Sequence, residues 1–365
     1  RPSALELRCY LRKGVQFHDG TALTAEDVRE SLLRYSRPDR GYPGQALYGS
    51  IQDVSIQSPH VLTIETKKPD GLLIRKLVML YILPSRYGKS RCPGGASDMD
   101  LVEQPVGTGP FQVKSMEPGR VIYLEKNENY WRPSLPRIDG LTLRVLTKEE
   151  RVEALLDGRL DLAIDIPGTQ ALRVLRQGAF DIRKTWCFNY ACAQVNTRKF
   201  PFNHREAREA LNLCIDRETL VSLEAAGNAR ALSASSSPGE FGHNPDLKKI
   251  PYDLPRARRL MHSVTKGKVL NLRCYTKYGA DRFAKFLEAS LADLGLNLNV
   301  SYVKDASAAS FLPKSQWHVS TSDIVDCLCH TGFFFSMIRS DMPFFLLQHE
   351  GVEKRLQQAV QKLDE

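Results

Sequence analysis

Two aspartates near the end of the chain are the residues whose types and spacing best suit ligand chemistry. Asp323 and Asp326 lie in the segment HVSTSDIVDCLCHTGFFF, where small and apolar residues surround them. This context is typical of a strand that ends in a loop. The carboxylates could close a turn or cap a helix. Alternatively, they could form an anionic site for a ligand cation in a partly dry cleft, where charge pairing is strongest.

Three residues that follow the aspartates could bind a soft metal ion. They are Cys327, Cys329 and His330. A structural zinc site uses four ligands, and the spacing of the remaining residues supplies no evident fourth one. The sequence therefore predicts no metal site and no cofactor.

No motif of a known enzyme class is present. The sequence lacks the GxSxG, HExxH, Walker A and kinase patterns, and GTGPF at 107–111 lacks the third glycine of a dinucleotide-binding turn. The eight histidines do not cluster along the chain. We therefore expect a protein that is not an enzyme and assign no catalytic residue.

The bulk composition indicates an ordinary globular chain. A length of 365 residues favours two or three domains. The net charge of +9 comes from 51 basic and 42 acidic residues that are scattered, without a block of five like charges. We expect a mixed solvated surface and no nucleic-acid contact through this region. The sequence contains no run of 18 apolar residues, so it predicts no membrane-spanning helix.

The first residue indicates how the chain was processed, and the number of cysteines indicates the redox state of its compartment. The chain begins with Arg1, and we expect a mature form or a fragment. Eight cysteines occur in a chain that is too long to need a disulfide framework. This usage fits a reducing compartment slightly better than an oxidising one.

The elements that must position the two aspartates follow from residue patterns. LRKGVQFHDGTALTAEDVRESLLR predicts a strand, turns and a helix that Thr24 and Asp27 begin together as a capping box. After residue 186, strand and helix patterns alternate as in an α/β lobe. The other predicted elements include a hairpin around EPGR, a strand at 160–166, a strongly helical segment at 204–227 and a long loop at 228–247.

The order of motifs along almost the whole chain resembles the family 5 extracellular solute-binding proteins, the dipeptide, oligopeptide and nickel receptors of ABC importers. Six stretches carry the resemblance: LRKGVQFHDGTALTAEDV, PVGTGPFQVKSMEPGRVIYLEKNENYW, ALLDGRLDLAIDIP, VNTRKFPFNHREAREALNLCIDRETLV, YDLPRARRLM and LADLGLNLNV. The resemblance implies an α/β, bilobal periplasmic-binding-protein-like fold (class II) with an extra subdomain beside lobe one. By the same resemblance, residues 1–104 would form the extra subdomain, 105–185 an incomplete lobe one, and 186–365 lobe two.

The resemblance also implies a ligand site. In peptide-binding members, an aspartate on the cleft strand of lobe two pairs with the peptide α-amino group, within a Gly-Trp-x-x-Asp pattern that has a Phe seven residues after the Asp. Asp326 and Phe333 match this spacing, while Ser322 and Asp323 stand where the pattern has Gly and Trp. A second acid thus replaces the aromatic wall, and it could favour a more cationic ligand. With Ile324, these four are the predicted ligand-binding residues.

The implied function is non-catalytic capture of a peptide or similar cationic small molecule between two lobes for an ABC importer. The implied partner is a transporter permease, and we expect a monomer that is periplasmic, or extracellular and membrane-anchored. Full family members have further strands before LRKG and after lobe two, so we expect either a trimmed sequence or a loss of transport function. The alternative is the ligand-sensing domain of a cytoplasmic transcription regulator of the sugar-phosphate stress type, which has the same fold.

Overall fold

The computed structural model describes residues 3–37, 45–88, 105–234, 236–277, 281–303 and 317–325, together with 351, 354–355 and 358–359. The chain divides into two compact units, Arg1–Thr147 with Gln357–Glu365, and Lys148–Leu356. Both units mix helices and strands. The domain division at residues 104 and 185 stays a prediction. Among the described helices, none is long and apolar enough to cross a bilayer.

The first part of unit one is a three-stranded antiparallel sheet packed against a helix. Its elements are β1 (Glu6–Tyr10), α1 (Ala25–Ser36), α2 (Gln45–Tyr48), β2 (Ile51–Ser58), β3 (Val61–Thr66), α3 (Leu73–Leu77) and α4 (Ser85–Gly88). The strand order is β1-β3-β2. Leu32 on α1 and Leu62 and Ile64 on β3 are almost fully buried in one apolar core.

Asp27 holds the beginning of α1. Its Oδ2 accepts the backbone N–H of Thr24 at 2.7 Å, as the predicted capping box requires. Its Oδ1 accepts the backbone N–H of Ser85 at 2.8 Å. One buried carboxylate therefore caps α1 and also ties it to the beginning of α4.

A buried ion pair lies beside this sheet. Lys76 Nζ is 2.7 Å from Asp70 Oδ2, and the two side chains are 8% and 4% exposed. Asp70 also accepts hydrogen bonds from the Ser50 hydroxyl at 2.6 Å and from the Leu72 N–H at 3.0 Å. The carboxylate and the ammonium thus satisfy each other where water is excluded.

A second sheet of unit one contains the predicted hairpin. It is formed by β4 (Phe111–Glu117), β5 (Val121–Lys126) and β6 (Gly140–Arg144), antiparallel in that order. The turn around EPGR has Gly119 at φ +74°, which a side chain would disfavour. The predicted hairpin is confirmed.

Three of the recognised motifs meet at His18. Its Nδ1 accepts the Gly107 N–H at 3.1 Å, and its Nε2 lies 3.1 Å from the Gly109 carbonyl oxygen. The Asn127 side chain donates to the same carbonyl at 2.9 Å. FHDG, GTGPF and NENYW therefore share one hydrogen-bond network, although about ninety residues separate the first two.

Unit two has a mixed four-stranded sheet. Its elements are α5 (Lys148–Leu156), α6 (Gly168–Arg176), β7 (Asn189–Val195), α7 (Arg205–Cys214), α8 (Arg217–Ala225), α9 (Leu254–Thr265), β8 (Leu270–Lys277), α10 (Asp281–Ala292), β9 (Leu296–Val303) and β10 (Val319–Val325). The strand order is β7-β10-β8-β9. Met261, Leu272 and Leu291 lie in its core and are at most 1% exposed.

The predicted strand at 160–166 is wrong. The described chain has no strand there, and Leu162 and Ile164 are 73% and 72% exposed. Asp165 has φ +56°, and Arg151 donates to the carbonyl oxygens of Ile164 and Asp165. A strand needs a neighbour to pair with, and here an arginine side chain satisfies the backbone carbonyls instead.

The segment at 204–227, predicted to be the most helical part of the chain, forms two helices, α7 and α8. Asp216 lies at their boundary with an extended backbone. Its carboxylate accepts the backbone N–H of Thr219 at 3.1 Å and the Thr219 hydroxyl at 2.7 Å. This side chain caps a new helix, which competes with continuation of the first.

Replacing Asp216 with alanine should lower the free energy of unfolding of unit two by about 1 kcal/mol, because α8 loses its N-cap. The Thr219 hydrogen bonds hold the pKa of Asp216 below its ordinary value. A carboxylate with a lowered pKa stabilises the fold above its unfolded pKa and loses that effect as the pH falls. Urea denaturation at pH 7 and pH 3 should therefore show a smaller effect of the substitution at pH 3. Asp246→Ala, at an exposed loop position, is the matched control, and an equal loss there would contradict the capping role.

Candidate functional site

Three of the five predicted site residues lie on β10. The backbones of Ser322, Asp323 and Ile324 are paired with Cys192, Ala191 and Tyr190 of β7, in antiparallel register. The other two predicted residues, Asp326 and Phe333, lie outside the described residues. Their roles stay predictions.

The structure describes the backbone of Asp323 within a strand. The residue lies within a seven-residue strand, two positions before its last residue, Val325. The role of its carboxylate stays a prediction. Asp326 follows directly after Val325 in the sequence.

The beginning of β10 is held on both sides. The N–H of Asn196 donates to the His318 carbonyl at 2.8 Å, and its side-chain amide donates to the Trp317 carbonyl at 3.1 Å. His318 in turn donates its N–H to the Arg273 carbonyl at 2.9 Å, while its Nδ1 accepts the Arg273 N–H at 3.1 Å. These bonds connect the start of β10 to the end of β7 and to β8.

The middle of β10 is fixed through a pair of buried hydroxyls. Thr321 Oγ1 donates to Thr276 Oγ1 of β8 at 2.6 Å, and the two threonines are 3% and 1% exposed. β10 runs parallel to β8 and antiparallel to β7. It is therefore an inner strand, and the sheet sets the position of its backbone up to Val325.

The imidazole of His318 should make unit two sensitive to mild acid. Burial, followed by the nearby charges of Lys199 and Arg273, lowers the pKa of His318 below its ordinary value. The unfolded chain therefore binds this proton more readily, so stability is full above the ordinary histidine pKa of about 6.5 and is lost as the pH falls below it. Protonation would also place an N–H against the N–H of Arg273.

We expect the free energy of unfolding to fall between pH 7.5 and pH 5 more steeply in the native protein than in His318→Asn. Asparagine can accept the Arg273 N–H and does not titrate. Urea titrations at pH 7.5, 6.5 and 5 measure the slope. His204→Asn, at an exposed helix end, is the control, and equal slopes in the native protein and the His318 variant would contradict the role of His318.

A buried tyrosine on the neighbouring strand β7 contacts a buried glutamate, and residue patterns do not indicate this pair. The hydroxyl of Tyr190 on β7 donates to Glu240 Oε1, and both residues are 5% exposed. Glu240 Oε2 accepts the Ser237 N–H at 3.0 Å. The sequence pattern places Glu240 in an irregular loop, where a carboxylate is expected to be solvated.

The described cysteines offer little for nucleophilic chemistry in the core of unit two. Burial raises the pKa of Cys214 and of Cys274 to about 12. A thiol with such a pKa is protonated at neutral pH and is a poor nucleophile. Among the described residues, no three His, Cys, Asp or Glu side chains are grouped as metal ligands. The segment with Cys327, Cys329 and His330 lies outside them.

Two of the clefts in the described part of unit two are not lined by β7 or β10. One, of about 60 Å³, lies at the beginning of α8 beside Asp216 and Tyr252. The other, of about 220 Å³, lies at the end of α9 beside His262 and Lys268. Neither contains a predicted site residue.

Comparison with known proteins identifies a family and relatives that this chain resembles. The family described as "Bacterial extracellular solute-binding proteins, family 5 Middle" matches residues 1–340. The glutathione-binding protein GsiB of Salmonella typhi is 27% identical over 301 residues, which are 80% of this chain and 57% of that protein. GsiB of Shigella boydii gives the same identity and coverage. The chain thus spans little more than half the length of these curated relatives.

Solved structures show the same fold. The periplasmic binding protein DppA of Helicobacter pylori, in complex with the peptide STSA, has a TM-score of 0.84 at 20% identity and covers 100% of this chain and 76% of its own. NikZ of Campylobacter jejuni, in complex with Ni(L-His), has a TM-score of 0.82 at 17% identity, with 99% and 76% covered.

These likenesses confirm the predicted fold class, because periplasmic binding proteins superpose on the whole chain. The family match, from residue 1 to residue 340, includes each of the motifs on which the resemblance rests. The chain belongs to the bacterial extracellular solute-binding proteins of family 5.

Proposed function

We propose that this protein captures a peptide or similar cationic small molecule, without catalysis, and delivers it to the permease of an ABC importer. The observation that carries the proposal is the position of β10. An inner strand of a family 5 fold presents Ser322, Asp323 and Ile324 near its end. Asp326 and Phe333 follow at the spacing of the family's amine-binding pattern.

The amine is the chemical group that the proposed ligands share. GsiB is named for glutathione, and the DppA and NikZ structures contain a peptide and a nickel–histidine complex. Each of these ligands includes an amino acid with an α-amino group. A carboxylate at the end of an inner strand suits an ammonium group, because a charged hydrogen bond is strong where water is excluded.

The remaining features of the proposal follow the family. We propose a monomer that works in the periplasm, or outside the cell on a membrane anchor, with residues 1–104, 105–185 and 186–365 as subdomain, lobe one and lobe two. The transcription-regulator alternative has no support among the relatives. Its ligands, sugar phosphates, still belong in the test.

A thermal-shift screen tests the proposal. The probes are the tetrapeptide Ser-Thr-Ser-Ala, glutathione, nickel with L-histidine, polyamines and glucose 6-phosphate. A ligand at 100 times its Kd stabilises the fold by about 2.7 kcal/mol, a shift that such a screen detects. N-acetylated Ser-Thr-Ser-Ala is the matched control, because it lacks only the ammonium group.

We expect the free tetrapeptide to raise the melting temperature and the acetylated form not to. A rise with glucose 6-phosphate alone would favour the sensing domain. A protein that responds to none of the amines would contradict capture of an amine ligand.

A further inference from the structure

The cleft of about 220 Å³ in unit two lies between the end of α9 and the turn from α10 to β9. One wall contains Arg258, His262 and Thr265 of α9, together with Lys268 beyond the helix, and residues 293–295 form the opposite wall. The three α9 residues follow the spacing i, i+4, i+7, which places them on one face of the helix. A water molecule needs about 10–15 Å³ of cavity volume, so the cleft has room for a tetrahedral oxyanion.

Glycines lie in both walls of the cleft. Lys266 ends α9 in the left-handed conformation at φ +54°, and Gly267 follows at φ +76°. A Cβ on Gly267 would lie 3.1 Å from Cε1 of His262, so a side chain there would crowd the imidazole. A Cβ on Gly295 would meet no described atom within 4 Å, so this part of the opposite wall borders open space. Glycine at both turns thus leaves the cleft unfilled by side chains.

The part of the chain that forms the first wall is basic. From residue 254 to residue 280, the sequence has seven Lys and Arg residues and no Asp or Glu. Asp293, the carboxylate in the opposite wall, is already paired, since Arg258 Nη2 donates to its Oδ1 at 2.9 Å and Arg258 Nε donates to its carbonyl oxygen at 3.0 Å. Within the described part of the chain, the Lys268 side chain has neither a carboxylate partner nor a hydrogen bond. Its ammonium group is therefore an uncompensated charge in the cleft.

A lysine at this place could serve the helix end itself, because the last carbonyl groups of a helix attract positive charge. Backbone donors already contact two of these carbonyls. The N–H of Lys266 donates to the His262 carbonyl at 2.8 Å, and the N–H of Lys268 donates to the Thr265 carbonyl at 3.1 Å. The Lys268 ammonium contacts no described carbonyl, so it is available to another partner.

We infer that this cleft binds a phosphate group, either free or in the headgroup of an anionic phospholipid. Lys268 supplies a positive charge, Arg258 keeps its Nη1 group beyond the two bonds to Asp293, and the Thr265 hydroxyl can donate a hydrogen bond. Such donors suit the oxygens of an anion, because hydrogen bonds between charged groups are the strong ones. None of the predicted amine-binding residues is in the described lining, so the inference does not rest on the proposed function.

An NMR titration of the whole chain with sodium phosphate at pH 7, compared with sodium chloride at equal ionic strength, tests the inference. The amide signals of 262–268 and 293–295 should shift with phosphate and not with chloride. Lys268→Gln should weaken phosphate binding about tenfold, since it removes a hydrogen bond between charged groups. Asp293→Asn should strengthen phosphate binding about threefold, because it removes a negative charge from the cleft and releases Arg258. A gain in affinity cannot result from misfolding.

Lys266→Gln is the matched control for Lys268→Gln. It removes the same charge two residues away, from an exposed lysine outside the lining. This variant should keep nearly the native affinity, because water and salt screen an exposed charge outside the cleft. An equal loss of affinity in the two lysine variants would overturn the inference, since phosphate would then respond only to the general positive charge of this part of the chain.

Vesicles of phosphatidylglycerol mixed with phosphatidylcholine distinguish the two sources of the phosphate group. If the source is a lipid headgroup, the native protein and Lys266→Gln should sediment with the vesicles, while Lys268→Gln should stay in solution. If the source is free phosphate, the titration should give the expected shifts without sedimentation. A native protein that responds to phosphate no more than to chloride, and that does not sediment, would overturn the inference and leave the proposed function standing.

Discussion

Asp326→Asn is expected to weaken the binding of a ligand with a free amine by about 2–5 kcal/mol. The substitution keeps the size of the side chain, but it removes the charge and replaces one acceptor oxygen with an NH2 donor. The ammonium group of the ligand would then be desolvated without an anionic partner, which is the costly situation for a buried charge. Calorimetric titration with Ser-Thr-Ser-Ala at pH 7 measures the change.

The same titration with Asp323→Asn separates the two acids. If Asp326 pairs with the amine and Asp323 only adds negative potential, the second variant should lose less affinity than the first. Asp246→Asn is the control, because Asp246 is an exposed loop residue. Unchanged affinity in Asp326→Asn would remove Asp326 from the site.

Breaking the buried ion pair of unit one is expected to have a comparable effect on stability. Asp70→Asn or Lys76→Met should each lower the free energy of unfolding by about 3–5 kcal/mol, because one buried charge is left without its partner. Asp70 also holds Ser50 and the beginning of α3, so its loss affects two further contacts. Hydrogen exchange across β1, β2 and β3 reports on this unit separately from the other.

The double variant Asp70→Asn with Lys76→Met tests whether the single variants lose stability through the broken ion pair or through altered packing. If the charges depend on each other, the double variant should lose clearly less than the sum of the two single losses. Glu117→Gln is the exposed control, since the side chains of its pair with Arg120 are 54% and 81% exposed, and such pairs contribute at most about 1 kcal/mol. Equal losses at the buried and exposed pairs would contradict this explanation.

Local features of this fold were predictable because their determinants are close in sequence. Thr24 and Asp27 are three residues apart, and the EPGR turn closes a hairpin of adjacent strands. The end of the helix at Asp216 was also within reach, since the acceptor and Thr219 are three residues apart. The apolar periodicity continues through Asp216, so the periodicity alone does not indicate that one helix ends and another begins there.

Non-local features were not predictable from residue patterns. The apolar alternation at 160–166 is a strand pattern, but pattern alone does not supply a pairing strand. Fifty residues separate Tyr190 from Glu240, and neither has a neighbour in sequence that indicates the other. Alignment with the family pattern predicted Ser322 and Asp323 as ligand-binding residues, while only the structure shows that their strand lies between β7 and β8.

The place of β10 in the sheet also has a consequence for the order of synthesis. β10 lies between β7 and β8, yet it is made after both, at residues 319–325 against 189–195 and 270–277. Until β10 leaves the ribosome, both flanking strands expose backbone groups that can pair with other chains. The strand with Asp323 therefore closes the sheet, and a nascent chain released before Val319 would carry two open edges into the cell.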